Sequence, residues 1–195
     1  MVQSSDVELQ ALRKGLKEKL GHCLLQAQQY EGILKAIAAR YQVTGTAKGI
    51  DDRTAEIQRQ TLGQLIKQIV GSFLIPEDEE KSPDVPDRPS VDGSSFALRI
   101  QIGFPAEDFH RIKRDLDGFV SLRNELVHHF LEQHDLATLD GCRIADETLI
   151  AASRQIEDQL DSLRTWAGDF VRTRQQMADH MRSGDFLTKA RIPWA

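Results

Sequence analysis

The chain has 195 residues, of which 40% are hydrophobic and 28% charged, a composition that suits one globular domain and excludes a wholly disordered protein. Its formal net charge of −5 at pH 7 argues against general, charge-driven binding of nucleic acid. The sequence has no apolar run near the roughly 18 to 20 residues that a membrane span needs, and residues 1–8 lack the apolar core of a signal peptide. We therefore expect a cytoplasmic protein that does not bind membranes.

The first part of the chain carries two helical patterns. Apolar residues that recur every three or four positions predict one long helix from about residue 6 to about residue 42. A second helix is predicted over about residues 53–74 from the same kind of spacing, and Asp51 and Asp52 before it suit the beginning of a helix. The two apolar faces comprise Leu9, Leu12, Leu16, Leu20, Cys23, Ala27, Tyr30, Leu34, Ile37 and Tyr41 in the first helix and Leu62, Leu65, Ile66, Ile69, Val70 and Phe73 in the second.

The middle of the chain differs in character. Residues 76–93 are rich in prolines and carboxylates, which oppose a packed helix, and we interpret them as an exposed loop joining two helices. An acidic mimic of RNA that shields a basic cleft is the alternative. Residues 96–104 then alternate between apolar and smaller or polar side chains, which predicts a strand. This strand needs a partner, either its own acidic loop in a hairpin or its copy in a second subunit.

Two further helices are predicted after the strand. The third begins at Pro105, which suits the first helical position, and extends to about Gln133. The fourth extends from about Ala145 to about Arg182, and Arg174 interrupts its apolar face. The predicted fold class is therefore all-α.

The predicted architecture is a bundle of four main long helices in a single domain over residues 1–184. Residues 76–104 form an inserted acidic, Pro-rich loop and short β-strand or hairpin, and residues 185–195 form a tail. Cys23 and Cys142 have neither a CxxC partner nor a histidine at a zinc-ligand spacing, so we expect both to be core residues in a reducing compartment. We predict no metal and no cofactor.

The third helix contains an unusual stretch, Arg-Asn-Glu-Leu-Val-His-His-Phe, at residues 123–130. Helical stepping places Arg123 on the apolar stripe, where an unpaired charge would cost several kcal/mol. Asn124 and His128 are four residues apart, so an amide and an imidazole share a helix face beside the guanidinium. The candidate catalytic residues are therefore Arg123, Asn124 and His128. The stripe that Arg123 interrupts is Phe109, Ile112, Leu116, Phe119, Leu126 and Phe130.

An Arg-x4-His motif that begins Arg-Asn, in the later half of an all-helical domain, resembles the signature of the HEPN superfamily. Many members are metal-independent ribonucleases that dimerise so that two motifs face each other across one cleft. Arg123, Asn124 and His128 match the motif. The resemblance implies a homodimeric RNA-processing or toxin-type enzyme in which His128 is general base or acid and Arg123 holds the scissile phosphate. Asn124 would orient the histidine or the phosphate.

Several alternatives remain open at this stage. His129 fits the motif at spacing five, although we prefer His128 because it shares a face with Asn124. Some toxin members carry a tyrosine where this chain has Phe130, so their neutralisation by a modifying partner is not expected here. Arg123 would instead be structural if it paired with Glu31. In that case the protein would be a non-catalytic helical dimer that binds a nucleotide or a protein partner, such as an antitoxin.

Overall fold

Helices make up most of the computed structural model, which describes residues 2–44, 47–78 and 97–183. The prediction of a mainly helical protein is confirmed. None of the helices in these ranges combines the length and the apolar character needed to cross a membrane. The helices are α1 (Val2–Ala38), α2 (Ala47–Arg59), α3 (Leu62–Ile69), α4 (Ala106–Asn124), α5 (Phe130–Gln133) and α6 (Leu139–Arg182), and a π-helical turn, Glu125–His129, joins α4 to α5. The strands are β1 (Gln42–Thr44), β2 (Leu74–Pro76), β3 (Ala97–Arg99) and β4 (Ile102–Phe104).

The two longest helices, α1 and α6, lie side by side and run in the same direction. Lys19 Nζ contacts Asp146 Oδ1 at 2.6 Å, and further along both helices Gln26 Nε2 donates to Glu157 Oε1 at 3.3 Å. The buried Cys23 thiol donates to the Leu149 carbonyl between these two contacts. Cys23 and Cys142 are both buried and free, as predicted for core residues.

Helix α4 packs on α1 in the opposite direction. The Phe119 ring stacks on the Tyr30 ring with centroids 3.8 Å apart, whereas Phe130 lies beside Leu16 and Leu20 of α1. The predicted apolar faces of the helices are the ones that meet in the core. Its fully buried side chains include Leu34, Leu65, Ile66, Ile69, Leu116, Leu149, Ile156, Leu160 and Leu163.

The predicted second helix is divided in the structure. Arg59 ends α2, and Thr61 begins α3 with a capping box: Thr61 Oγ1 accepts from Gln64 N at 3.4 Å, and Gln64 Oε1 accepts from Thr61 N at 2.9 Å. This break lets α2 fold back over the end of α1, where Arg53 Nη2 donates to the Ala38 carbonyl at 3.3 Å. Only α3 therefore places its apolar face fully in the core.

The single strand predicted over residues 96–104 is wrong in its extent, and one of its partners, β1, was not predicted. It is divided at Ile100 and Gln101 into β3, which pairs antiparallel with β1, and β4, which pairs parallel with β2. The partners are thus the segments that follow α1 and α3, and the second of these includes the beginning of the predicted acidic loop, since Pro76 pairs with Phe104 and Glu77 N donates to the Phe104 carbonyl at 2.8 Å. Pro76, assigned to the loop in the prediction, ends β2, an edge strand where its missing N–H is tolerated. Residues 79–96 and the predicted tail at 185–195 lie outside the described residues.

Candidate active site at a π-helical turn

The stretch singled out in the sequence coincides with the π-helical turn. α4 ends at Asn124, and the π-helical turn then covers Glu125–His129 before α5 continues the helix. His129 has φ −119° and ψ −10°, away from the values of about −63° and −42° of an α-helix. π-helical turns are rare and lie frequently at functional sites. The backbone therefore departs from α-helical bonding at His128, in the turn that directly follows Arg123 and Asn124 at the end of α4.

Burial divides the side chains of this turn. Leu126 and Phe130 are buried, at 4% relative exposure each, and anchor the turn to the core. Val127, His128 and His129, between them, are exposed. Both histidines therefore face solvent from a backbone that is fixed on either side.

Arg123 does not occupy the core stripe, contrary to the prediction. It is half-buried, as is its neighbour Leu122, and no charged residue is buried in the part of the chain whose side chains the structure describes. Its Nη1 donates to Asn124 Oδ1 at 3.2 Å. Glu31, the alternative partner, contacts Lys35 Nζ at 2.7 Å instead. The Arg123 guanidinium is thus held beside the turn by a neutral amide, and no carboxylate among the described residues neutralises it.

The two histidines have different surroundings. His129 Nδ1 forms a hydrogen bond with Glu132 Oε2 at 3.1 Å. His128 is exposed and makes no hydrogen bond or ion pair with the described residues, although its ring centroid is 6.2 Å from that of His129. Asn124 is also exposed, but its side-chain oxygen accepts from Arg123 and not from His128. The imidazole that is open to a ligand is therefore that of His128.

An apolar surface, not predicted from the sequence, lies beside the turn. Val127 is 43% exposed and Leu131, four residues further on, is 70% exposed. Leu131 borders an apolar groove of about 330 Å³ between α1 and α5, into which Leu20 and Leu136 also face. A leucine directly after the buried Phe130 was the available signal, since one face of a helix cannot bury both.

Comparisons with protein-family models, with curated proteins and with solved structures found no significant match. What the site can do therefore follows from its own side chains. A guanidinium without a carboxylate partner suits a phosphate, and an open imidazole suits proton transfer near neutral pH. Among the described residues, no three His, Cys, Asp or Glu side chains lie together in a way that would hold a metal ion.

Proposed function

We propose that this chain is a HEPN-like, metal-independent endoribonuclease that acts as a homodimer. In this proposal the helices form the four-helix bundle of that superfamily, and residues 76–104 are its insertion. The observation that carries the proposal is the π-helical turn, because it lies within the Arg-x4-His stretch and leaves the His128 imidazole exposed, while the Arg123 guanidinium just before the turn is bound by the neutral Asn124 amide. A target RNA, and an antitoxin if the enzyme is a toxin, would be its partners.

The chemistry follows from these two groups. An imidazole that accepts the proton of an RNA 2′-hydroxyl lets that oxygen attack the adjacent phosphorus, and the bond to the 5′-oxygen breaks. The Arg123 guanidinium stabilises the negative charge that builds on the phosphate oxygens. A second imidazole protonates the leaving 5′-oxygen, so the products are a 2′,3′-cyclic phosphate and a 5′-hydroxyl. None of these steps requires a metal ion.

The need for two imidazoles argues for a homodimer. One copy of the chain offers one open imidazole at this turn, that of His128, because His129 is bound to Glu132. A second copy would supply the other imidazole and a second Arg123. The acid and base roles would then be divided between the two His128 side chains of one composite cleft.

The test is an RNA cleavage assay with EDTA present, in which the wild type is compared with Arg123→Ala and His128→Ala. We expect each substitution to reduce the rate by about 10²- to 10⁴-fold, the usual contribution of acid–base catalysis. His110→Ala is the matched control, since His110 is an exposed histidine of α4 outside the turn. Circular dichroism establishes that each variant is folded. Equal cleavage by the wild type and both site variants, or none by the wild type, would falsify the proposal.

A second candidate function is favoured by the exposed Val127 and Leu131. Exposed apolar side chains beside a groove are typical of surfaces that bind proteins, so the alternative is a non-catalytic helical dimer that binds a nucleotide or a protein partner. If the acidic loop and the strand recruit that partner, deletion of residues 77–93 abolishes its binding. Under the ribonuclease proposal the same deletion leaves RNA cleavage intact.

A further inference from the structure

A second cavity, of about 480 Å³, lies between the first half of α4 and the middle of α6. It is separate from the Arg123 and His128 site, since none of the residues of the π-helical turn lines it. Two aromatic rings and two carboxylates meet in this cavity. The residues that matter for its chemistry are Phe104, Asp108, Arg111, Asp115, Gln159 and Trp166.

The aromatic part of the cavity consists of Phe104 and Trp166. Both side chains are half-buried, their ring centroids are 6.3 Å apart, and their planes are inclined by 56°. Two inclined rings form two walls of a cage. The faces of aromatic rings carry partial negative charge, so such a cage attracts a cation, and tryptophan does so most strongly.

The polar part of the cavity has unused hydrogen-bonding capacity. Asp115 is exposed and makes no hydrogen bond or ion pair with the described residues, and the half-buried Gln159 makes none either. Asp108, by contrast, accepts from Arg111 Nη2 at 2.7 Å. The cavity thus combines one free carboxylate with a carboxylate that already binds a guanidinium.

We propose that this cavity binds the guanidinium group of an arginine side chain on a partner polypeptide. The group would lie on the Trp166 ring and donate two hydrogen bonds to the Asp115 carboxylate. A guanidinium fits better than an ammonium, because it is planar, stacks on aromatic rings and matches a carboxylate with two donors. A phosphate is disfavoured, because the free charge in the cavity is negative.

Arg111 gives the site an internal competitor. It lies at the rim of the cavity, is 63% exposed in its side chain and already binds Asp108 in the way that an incoming arginine would bind Asp115. Its positive charge also repels a second cation. Removal of this side chain therefore strengthens binding of the partner's arginine.

The test uses the full chain labelled with ¹⁵N, in which the indole N–H signal of Trp166 is followed during titration with Nα-acetyl-arginine methylamide. A Trp194→Phe variant assigns the signal, because the chain has two tryptophans. The corresponding citrulline compound has nearly the same shape without the charge. We expect the Trp166 signal to shift with the arginine compound and to stay in place with the citrulline compound.

Three substitutions sharpen this test. Asp115→Asn should weaken binding about tenfold or more, the usual effect of losing a charged hydrogen-bond partner. Asp117→Asn removes the same charge from an exposed position of α4 outside the cavity and should change nothing, whereas Arg111→Gln should tighten binding. Equal shifts with citrulline, or unchanged affinity in Asp115→Asn, would overturn the proposal. A Trp166 shift with guanosine monophosphate but not with the arginine compound would overturn it too, and would make the cavity a nucleobase site.

Discussion

At the scale of single residues, the two adjacent histidines of the π-helical turn make the sharpest contrast. His129 is bound to Glu132, whereas His128 is open, so their contributions to RNA cleavage should differ. We expect His128→Ala to reduce RNA cleavage by about 10²- to 10⁴-fold and His129→Ala to reduce it far less. Glu132→Gln should behave like His129→Ala. If His129→Ala loses more RNA cleavage activity than His128→Ala, then His129 is the catalytic histidine and the motif is Arg-x5-His.

Position 141 requires glycine, because the Asp135 backbone carbonyl approaches it closely at the beginning of α6. Thr138 caps this helix, its Oγ1 accepting from Gly141 N at 3.1 Å, and a methyl group on Gly141 would overlap the Asp135 carbonyl oxygen. We expect Gly141→Ala to lower the free energy of unfolding by about 1 to 3 kcal/mol, the usual cost of overpacking. Gly168→Ala is the matched control, because nothing lies within 4 Å of the added group and alanine favours the same helix. Urea unfolding measures both, and a stabilised Gly141→Ala variant would contradict the prediction.

The burial of Tyr30 makes the stability of the protein depend on pH. Burial, together with the charge of Asp115, raises the pKa of the Tyr30 hydroxyl above its ordinary value of 10.0. The folded protein therefore keeps the phenol neutral at a pH where the unfolded chain ionises it. The resulting stabilisation is complete below pH 10 and is lost as the pH rises above it, at up to about 1.4 kcal/mol per pH unit.

The prediction compares the wild type with Tyr30→Phe between pH 9 and about pH 11.5. We expect the free energy of unfolding to fall less steeply in the variant, which keeps the stacked ring on Phe119 but has no hydroxyl to ionise. Cys23, whose thiol pKa is also raised by burial, is present in both proteins, so the difference isolates Tyr30. Parallel curves would show that the hydroxyl ionises alike in both states.

At the scale of helices and strands, the sequence predicts the apolar faces of the helices well and the residues at which the helices end poorly. The predicted apolar face from Cys23 to Tyr41 keeps one helical spacing and is buried as predicted, yet α1 ends at Ala38. Tyr41 stays buried because it packs on Phe73, at 5.6 Å between ring centroids, and not because the helix continues. The predicted second helix failed for a related reason: the Thr61 cap interrupts a stretch whose apolar spacing is compatible with an unbroken helix.

Two other features carried no periodic signal. The three-residue strands β1 and β2 are too short to show alternation, so the partners of residues 97–104 could not be identified from sequence. The π-helical turn is equally hidden, because the spacing of Phe119, Leu126 and Phe130 fits an α-helix. Arg123 was placed in the core for the same reason: stepping from Phe119 reaches Leu122 or Arg123 equally well, and the structure half-buries both.

The π-helical turn makes a prediction about deletions. Its hydrogen bonds span one more residue than those of an α-helix, so deletion of Val127 should allow the helix to continue in α-helical form with Phe130 still in the core. We expect the variant to fold with little loss of stability but without RNA cleavage, because His128 moves relative to Arg123. Deletion of Gly118, inside regular α4, should unfold the protein, since it rotates Phe119 and the residues after it relative to Ile112 and Leu116, the preceding core residues. Retained cleavage after the Val127 deletion would show that the π-helical turn is dispensable.

At the scale of the whole molecule, the proposed cleft forms only when two chains meet. The exposed Leu131 and the groove beside it lie near the first half of α1, whereas Val171 is exposed beside Phe170, which packs on Phe73 at the far end of α1. Both side chains are exposed by more than 60%, at 70% for Leu131 and 64% for Val171. They are therefore a matched pair for locating the surface between the two chains.

We expect Leu131→Glu to convert a dimer into a monomer in sedimentation or light-scattering measurements, because a buried unpaired carboxylate opposes association, whereas Val171→Glu should remain dimeric. RNA cleavage by Leu131→Glu should fall because the dimer is lost. It should recover partly at higher protein concentration, since mass action restores association. His128→Ala should not recover, because it lacks the reacting group at any concentration. This difference separates a residue that assembles the cleft from one that acts in it. A wild-type chain that cleaves RNA as a monomer would exclude the composite site and place both imidazole roles, through His128 and His129, within one turn.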